Sequence, residues 1–144
     1  HLNGKTVAVV RDDIVDPNVT VAGGNITTLL QPSSYVEAGL DYDVVVETMP
    51  IELQAPTGNV QSIRKRVVEV SPILYRSQNI AINDIDINLQ TLPLSPNGGV
   101  ANYTGVRKVQ GFLGYTREAK IKLSMTKPLF LTVLALDYSV SVGA

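Results

Sequence analysis

Acidic side chains are the first residues whose types and spacing suggest chemistry. Asp12, Asp13 and Asp16 fall within five residues, and Asp84 and Asp86 stand two apart beside Asn83 and Asn88. Calcium takes several oxygen ligands from loops of this kind. The glycine and the distal glutamate of the EF-hand spacing are missing, however. Aspartate also favours turns by bonding its own backbone, so turns and a solvated strand face are the simpler reading. Arg64-Lys65-Arg66 is the one basic run, with Arg76 further along the same segment. Strand alternation sets Arg64, Arg66 and Arg76 on one face and Lys65 on the other. Clustered cations attract phosphate; a soluble strand start and ion pairs between subunits are the ordinary alternative. Tyr35, Tyr42, Tyr75, Tyr103, Tyr115 and Tyr138 offer rings for sugars or for a partner surface, although tyrosine is also an everyday strand residue. Gly111-Phe112-Leu113-Gly114 lacks the strand–helix context of a nucleotide loop.

What is missing narrows the chemistry further. The 144 residues include no cysteine, which removes disulfides, thiolate nucleophiles and zinc–thiolate sites. The only histidine is His1. A frayed first residue is a poor place to hold a general base, so histidine–serine–acid triads and two-histidine metal sites are effectively excluded. The reading is of a protein without catalytic, cofactor-binding or metal-binding residues. A net charge of −1 argues against bulk electrostatic binding of nucleic acid or membranes. No apolar run approaches the 18 or so residues of a membrane-spanning helix, so no membrane insertion is expected from this domain. With no initiator Met and no basic-then-apolar leader, the chain reads as an excised domain or a processed product. Three sequons, at Asn18, Asn25 and Asn102, decide nothing alone.

The elements that must position these residues are strands. Twenty Val, ten Ile and eleven Thr make 41 stiff, β-branched residues, while eleven Gly and eight Pro punctuate the chain at short intervals. Strands are expected at Lys5–Arg11, Val19–Val21, Ile26–Leu30, Tyr35–Leu40 and Asp43–Thr48. Turns are expected at Asp12-Asp13, Asp16-Pro17-Asn18 and Gly23-Gly24-Asn25. Pro50–Asn59 reads as a loop, with a short helical turn across Asn59–Ile63. Lys65–Ser77 is a long strand presenting Val68, Val70 and Leu74 on one face, with Pro72 demanding a bulge or an edge position. Asp84–Leu89 alternates as a strand with one wet face, and Thr91–Asn102 is the long-loop candidate. Lys120–Thr126 alternates strictly, and Lys127-Pro128 makes a corner. Leu129–Val142 is apolar on both faces at first, as befits a strand central in a sandwich or packed against another subunit. The fold class is all-β: an antiparallel β-sandwich or partly open barrel with many short strands and one or two long ones. Residues 1–144 form one domain, with any sub-boundary falling near 54–62.

Several phrases, taken in order, resemble a known family. His1-Leu2-Asn3-Gly4-Lys5-Thr6-Val7 is similar to a recurring "HLEGKTV", with Asn3 in place of glutamate. Asp12-Asp13 stands where that family has an Asp-Gly turn. Val36–Tyr42 resembles "V-x-V-G-L-P-Y", with Asp41 replacing proline, and Glu47-Thr48-Met49-Pro50 resembles "E-T-L-P". Arg64–Val67 and Tyr75-Arg76-Ser77 resemble the start and end of the family's long strand, and Gly111–Ala119 its "G-W-x-R-E" segment. Pro128–Leu136 is similar to the closing "P-L-P-L-T-V-L-A-L". The family is the tail tubular protein B, or nozzle, of short-tailed phages, with related tail and DNA-stabilisation proteins.

The resemblance implies a virion component of the phage tail. It would be a homo-oligomeric ring, a hexamer in the nozzle, set against neighbouring tail proteins. DNA would pass through its lumen without specific binding, and no catalysis or cofactor is implied. Phe130, Leu131, Val133, Leu134 and Leu136 are then the candidate subunit-interface residues, and Arg64, Arg66 and Arg76 the candidate basic contacts. The alternative from another class is a β-sandwich binding module for a carbohydrate or a host surface receptor, using tyrosines and the Thr91–Asn102 loop.

Overall fold

Two-residue turns built from aspartate, asparagine and glycine set the register of the hairpins. The computed structural model describes residues 1–27, 33–52, 54–55, 58–59, 63–90, 99–112, 114–125 and 127–143. Strand β1 (Thr6–Arg11) turns at Asp12 and Asp13 into β2 (Ile14–Thr20), pairing Arg11 with Ile14. Both turn residues have positive φ, 46° and 63°, the backbone that a type I′ turn needs and that aspartate tolerates better than most residues. Asn83 and Asp84, at 49° and 64°, do the same between β8 (Ala81–Ile82) and β9 (Ile85–Asp86). The expected Gly23-Gly24 turn is present, closing the isolated bridge between Ala22 and Asn25.

The remaining strands are β3 (Val36–Gly39), β4 (Val44–Glu47), β5 (Gln54–Ala55), β6 (Gly58–Asn59) and β7 (Lys65–Ser77), followed by β10 (Tyr103–Val106), β11 (Val109–Gln110), β12 (Lys122–Met125) and β13 (Val133–Val142). No helix occurs among the described residues. β1 lies between β2 and β3 in an N-terminal sheet, and β5 and β6 form a small hairpin. The order β4-β12-β8-β9 makes a second sheet. In the third, β7 is central, with β13 on one edge and β10 and β11 in succession on the other. Among the described residues all the pairings are antiparallel, and no sheet closes into a barrel.

The main core lies where the β7 and β12 sheets meet, in a sandwich-like arrangement. Val67, Val70 and Leu74 from β7 join Ile80, Ile82, Ile121, Leu123 and Phe112. A second, smaller cluster of Val7, Val9 and Val21 belongs to the N-terminal sheet. The chain passes from the N-terminal sheet to the second sheet between β3 and β4.

Several expectations are corrected. Asp16-Pro17-Asn18 is not a turn but lies within β2, where the register slips opposite Ala8. β2 is an edge strand, so Pro17 removes no ladder bond that matters, and Asp16 turns inward to meet Arg11. Pro72 sits in a central strand, not at an edge. The irregularity it demands is taken up by its neighbour: Arg107 and Lys108 break β10 from β11, and the Arg107 amide donates to the Pro72 carbonyl. A register slip opposite Val68 moves the core-facing positions of β7 from Val67 to Val70 and Leu74, so Val68 is not part of the buried face. Asp84–Leu89 shrinks to β9, because Asn83-Asp84 is consumed by the turn.

Leu129–Val142 is strand only from Val133, and among the described residues it is an edge strand paired with β7 alone. Apolar character on both faces here comes from one face on the core and one on solvent. Pro50–Asn59 holds the β5–β6 hairpin, not a plain loop, and Asn59 is a strand residue. Ile26 and Thr27 are outside any strand. The rest of the Ile26–Leu30 strand, residues 60–62 of the helical turn and residues 91–98 of the long loop lie outside the described residues.

Candidate functional site

The candidate interface residues divide according to the face they occupy. Leu131, Val133 and Leu136 are half-buried and pack on the main core. Phe130 and Leu134 are 61% and 64% exposed, alongside the exposed Tyr138 and Val142. Phe130 and Leu134 thus offer apolar side chains to solvent, while Tyr138 and Val142 fall by alternation on the same face as the core-packed Leu136 and Val140.

The basic residues do not assemble into one pocket. Arg66 and Arg76 are ten strand residues apart, about 30 Å at roughly 3.3 Å per residue. Alternation between them is also interrupted, by the slip at Val68 and by Arg76, whose φ is 47°. Arg64 is exposed and its carbonyl accepts from the Gly143 amide. The Arg66 guanidinium lies 5.3 Å from the centre of the Tyr115 ring, within cation–π range. Lys65 is buried instead, 1% exposed, and its ammonium donates to the Ile51 carbonyl at 2.5 Å.

The aspartates diverge as well. Asp12 accepts from the Ser34 and Tyr35 amides at 3.2 and 3.1 Å, tying the β1–β2 turn to the start of β3. Asp16 forms a buried pair with Arg11 at 3.2 Å. Asp84 binds Lys122 at 2.7 Å, which raises the pKa of that lysine. Among the described residues, no three metal-ligating side chains gather in one group.

What sequence reasoning missed is a cleft of about 520 Å³ between the N-terminal sheet and the corner before β13. Its floor is the sheet face opposite Val7 and Val9. There Ala8 and Val10 of β1 stand beside their β3 partners Gly39 and Glu37. Its far wall is Met125, Pro128, Leu129 and Phe130. The Gln78 side chain fastens that wall: its amide donates to the Val100 carbonyl at 2.8 Å while its oxygen accepts from the Phe130 amide at 3.3 Å. Exposed side chains form the mouth, with Tyr35, Leu40 and Tyr42 interleaved with Asp13, Glu37 and Asp41. The Tyr35 hydroxyl donates to the Glu37 carboxylate, which raises the tyrosine pKa above its usual value because ionisation would forfeit that bond.

The tyrosines therefore play different parts. Tyr35 and Tyr42 flank the cleft, and Tyr115 stacks under Arg66. Tyr103 packs on the core with its hydroxyl donating to the Val106 carbonyl at 2.8 Å. Tyr103 is thus held by the fold, and of the exposed tyrosines Tyr35 and Tyr42 line the cleft while Tyr75, Tyr115 and Tyr138 stand elsewhere on the surface. The local signal was the Tyr35-to-Tyr42 segment, where apolar, aromatic and acidic residues interleave; the opposing wall, some ninety residues later, has no local signature. No protein-family model matches the chain, and a search of curated proteins finds no match.

Proposed function

We propose that this domain is a structural component of a short-tailed phage tail, a wall element of the tail tube or nozzle. Copies of it would stand side by side in a ring, against neighbouring tail proteins, and DNA would pass through the lumen during ejection. The observation that carries this reading is β13. It is a ten-residue edge strand with no lysine or proline to guard it and a single charge, Asp137. Its guards are limited to two irregularities in register. Exposed Leu134, Tyr138 and Val142, with Phe130 just before them, add the apolar surface that subunit contacts use. The ordered phrase resemblance points to the same place, since Pro128–Leu136 is its closing phrase. A net charge of −1 and arginines dispersed along β7 suit a lumen that lets DNA slide.

The test is Phe130→Glu combined with Leu134→Lys. Both side chains are exposed, so the monomer should melt within about 0.5 kcal/mol of the parent while incorporation into virions is lost. A parallel fall in monomer stability would make both residues part of the core, and normal incorporation would remove this face from the assembly. Immunogold labelling with antibody against the domain locates it: label confined to tails supports the reading, and clean virions overturn it.

A further inference from the structure

We infer that the cleft beside β3 is a docking site for an extended, cationic segment of a different protein, added as a fourth strand to the N-terminal sheet. This inference does not depend on the tail reading.

The first observation is the free edge. β3 pairs with β1 alone among the described residues. The Asp12 amide donates to the Tyr35 carbonyl at 3.1 Å, so the polar backbone groups of Tyr35 point toward β1. Alternation then turns the amides and carbonyls of Val36, Ala38 and Leu40 outward, away from any described strand. An extended peptide is the ligand whose own backbone satisfies such a row.

The second observation is the charge of the mouth. Asp13, Glu37 and Asp41 line the cleft and no lysine or arginine does. None of the three forms a salt bridge among the described residues. Tyr35 and Tyr42 add ring faces that attract cations. The floor and wall of Ala8, Val10, Met125 and Leu129 are apolar. Glu37 shares its sheet face with Ala8 and Val10, whereas the exposed Val36 lies on the other face; a strand alternating lysine or arginine with apolar residues therefore sets its cations toward Glu37 on the cleft face and its apolar side chains beside Val36. A volume of about 520 Å³ lies within the range of roughly 300–1,000 Å³ that holds a ligand.

A second copy of this chain is a poor donor. Its basic run Arg64–Arg66 enters β7, where Lys65 is already paired on both edges, with Val142 and with Thr116. Lys120 and Lys122 are held by Glu47 and Asp84. These lysines are thus engaged within their own fold, which favours a different chain as the donor.

Fluorescence anisotropy of the 144-residue chain with a labelled octapeptide alternating lysine and valine tests the inference. The lysine peptide should bind about tenfold or more tightly than its glutamate counterpart, and binding should weaken as salt rises. Glu37→Gln with Asp41→Asn should cost about tenfold in affinity. Ala38→Pro removes one outward amide without touching the β1–β3 ladder, and should abolish binding in a variant whose melting is unchanged. Should that variant misfold, amide exchange on the parent substitutes: bound peptide should protect Val36, Ala38 and Leu40 selectively. Equal binding of the two peptides, absent protection of those amides, a folded Ala38→Pro variant that binds normally, or binding of cellotetraose in place of the lysine peptide would each overturn the inference.

Discussion

The sandwich and the N-terminal sheet solve the problem of burial on different scales. The sandwich brings Val70, Leu74, Ile80, Ile82 and Ile121 to complete burial from two sheets. The N-terminal sheet buries Val7, Val9 and Val21 on one face, adds the enclosed Arg11–Asp16 pair, and leaves its other face to the cleft. The described polar links across the seam are few. The Val100 amide donates to the Asp13 carbonyl at 3.1 Å, and Gly99 packs so closely that a Cβ there would lie 2.5 Å from the Asp12 carbonyl oxygen. The lesson is a division of labour: the region with the large core supplies rigidity, and the recess arises where a lightly buried sheet leans on it.

Four substitutions break or sharpen that contrast. Leu74→Ala, at a side chain with no exposure in the main core, should cost about 2–5 kcal/mol and lower the urea midpoint of the whole domain. A transition that moves only for the N-terminal sheet would place the centre of stability elsewhere. Gly99→Ala forces its methyl onto the Asp12 carbonyl oxygen and should cost about 1–3 kcal/mol. Amide exchange should rise in β1 and β2 while β7 stays protected; uniform exchange would show that the seam is not a boundary. Val9→Ala removes two carbons from the small core and should cost about 1–2 kcal/mol, again with the loss confined to β1–β3.

The smallest effect is a pH dependence. Hydrogen bonds from Lys108 and then Gln110 hold the Glu69 carboxyl below its ordinary pKa of 4.5. A carboxylate whose folded pKa is depressed adds stability that is complete above the unfolded value and is lost as pH falls through the folded one. Glu69→Gln should therefore flatten the acid limb of a stability–pH curve below about pH 4.5, its small cost showing at neutral pH and vanishing in acid. An unaltered acid limb would show that the exposed contact contributes nothing.

The strands were legible where local chemistry dictates them. Asp12-Asp13 and Gly23-Gly24 announce two-residue turns because few other residues accept positive φ, and Lys65–Ser77 reads as a long strand from its β-branched residues. The fold class followed from the same signals. Pro17 misled because proline suits a turn and an edge strand equally, and which one applies depends on the Arg11–Asp16 contact. Val70 and Leu74 face inward as their alternation indicates, but a single slip at Val68 gives the next inward position to Val67, which no alternation rule foresees. Leu129–Val142 reads the same whether central or at an edge, since apolar residues on two faces do not reveal which neighbours exist. The cleft was hidden for a plainer reason: Tyr35–Tyr42 and Met125–Phe130 meet only through the fold.

The pairing of β7 with β13 carries a consequence for how the domain comes into being. Lys65 lies opposite Val142, so this ladder joins residues far apart in the chain, whereas β1, β2 and β3 are complete within residues 6–39. Non-local pairing is slow because a long loop must close before any contact rewards it. During synthesis the N-terminal sheet is available to form early, while β7 waits with one edge unpaired until the last strand emerges. The order of the strands thus makes β13 the closing step of folding, and any interruption of synthesis short of it leaves an open sheet exposed to other chains.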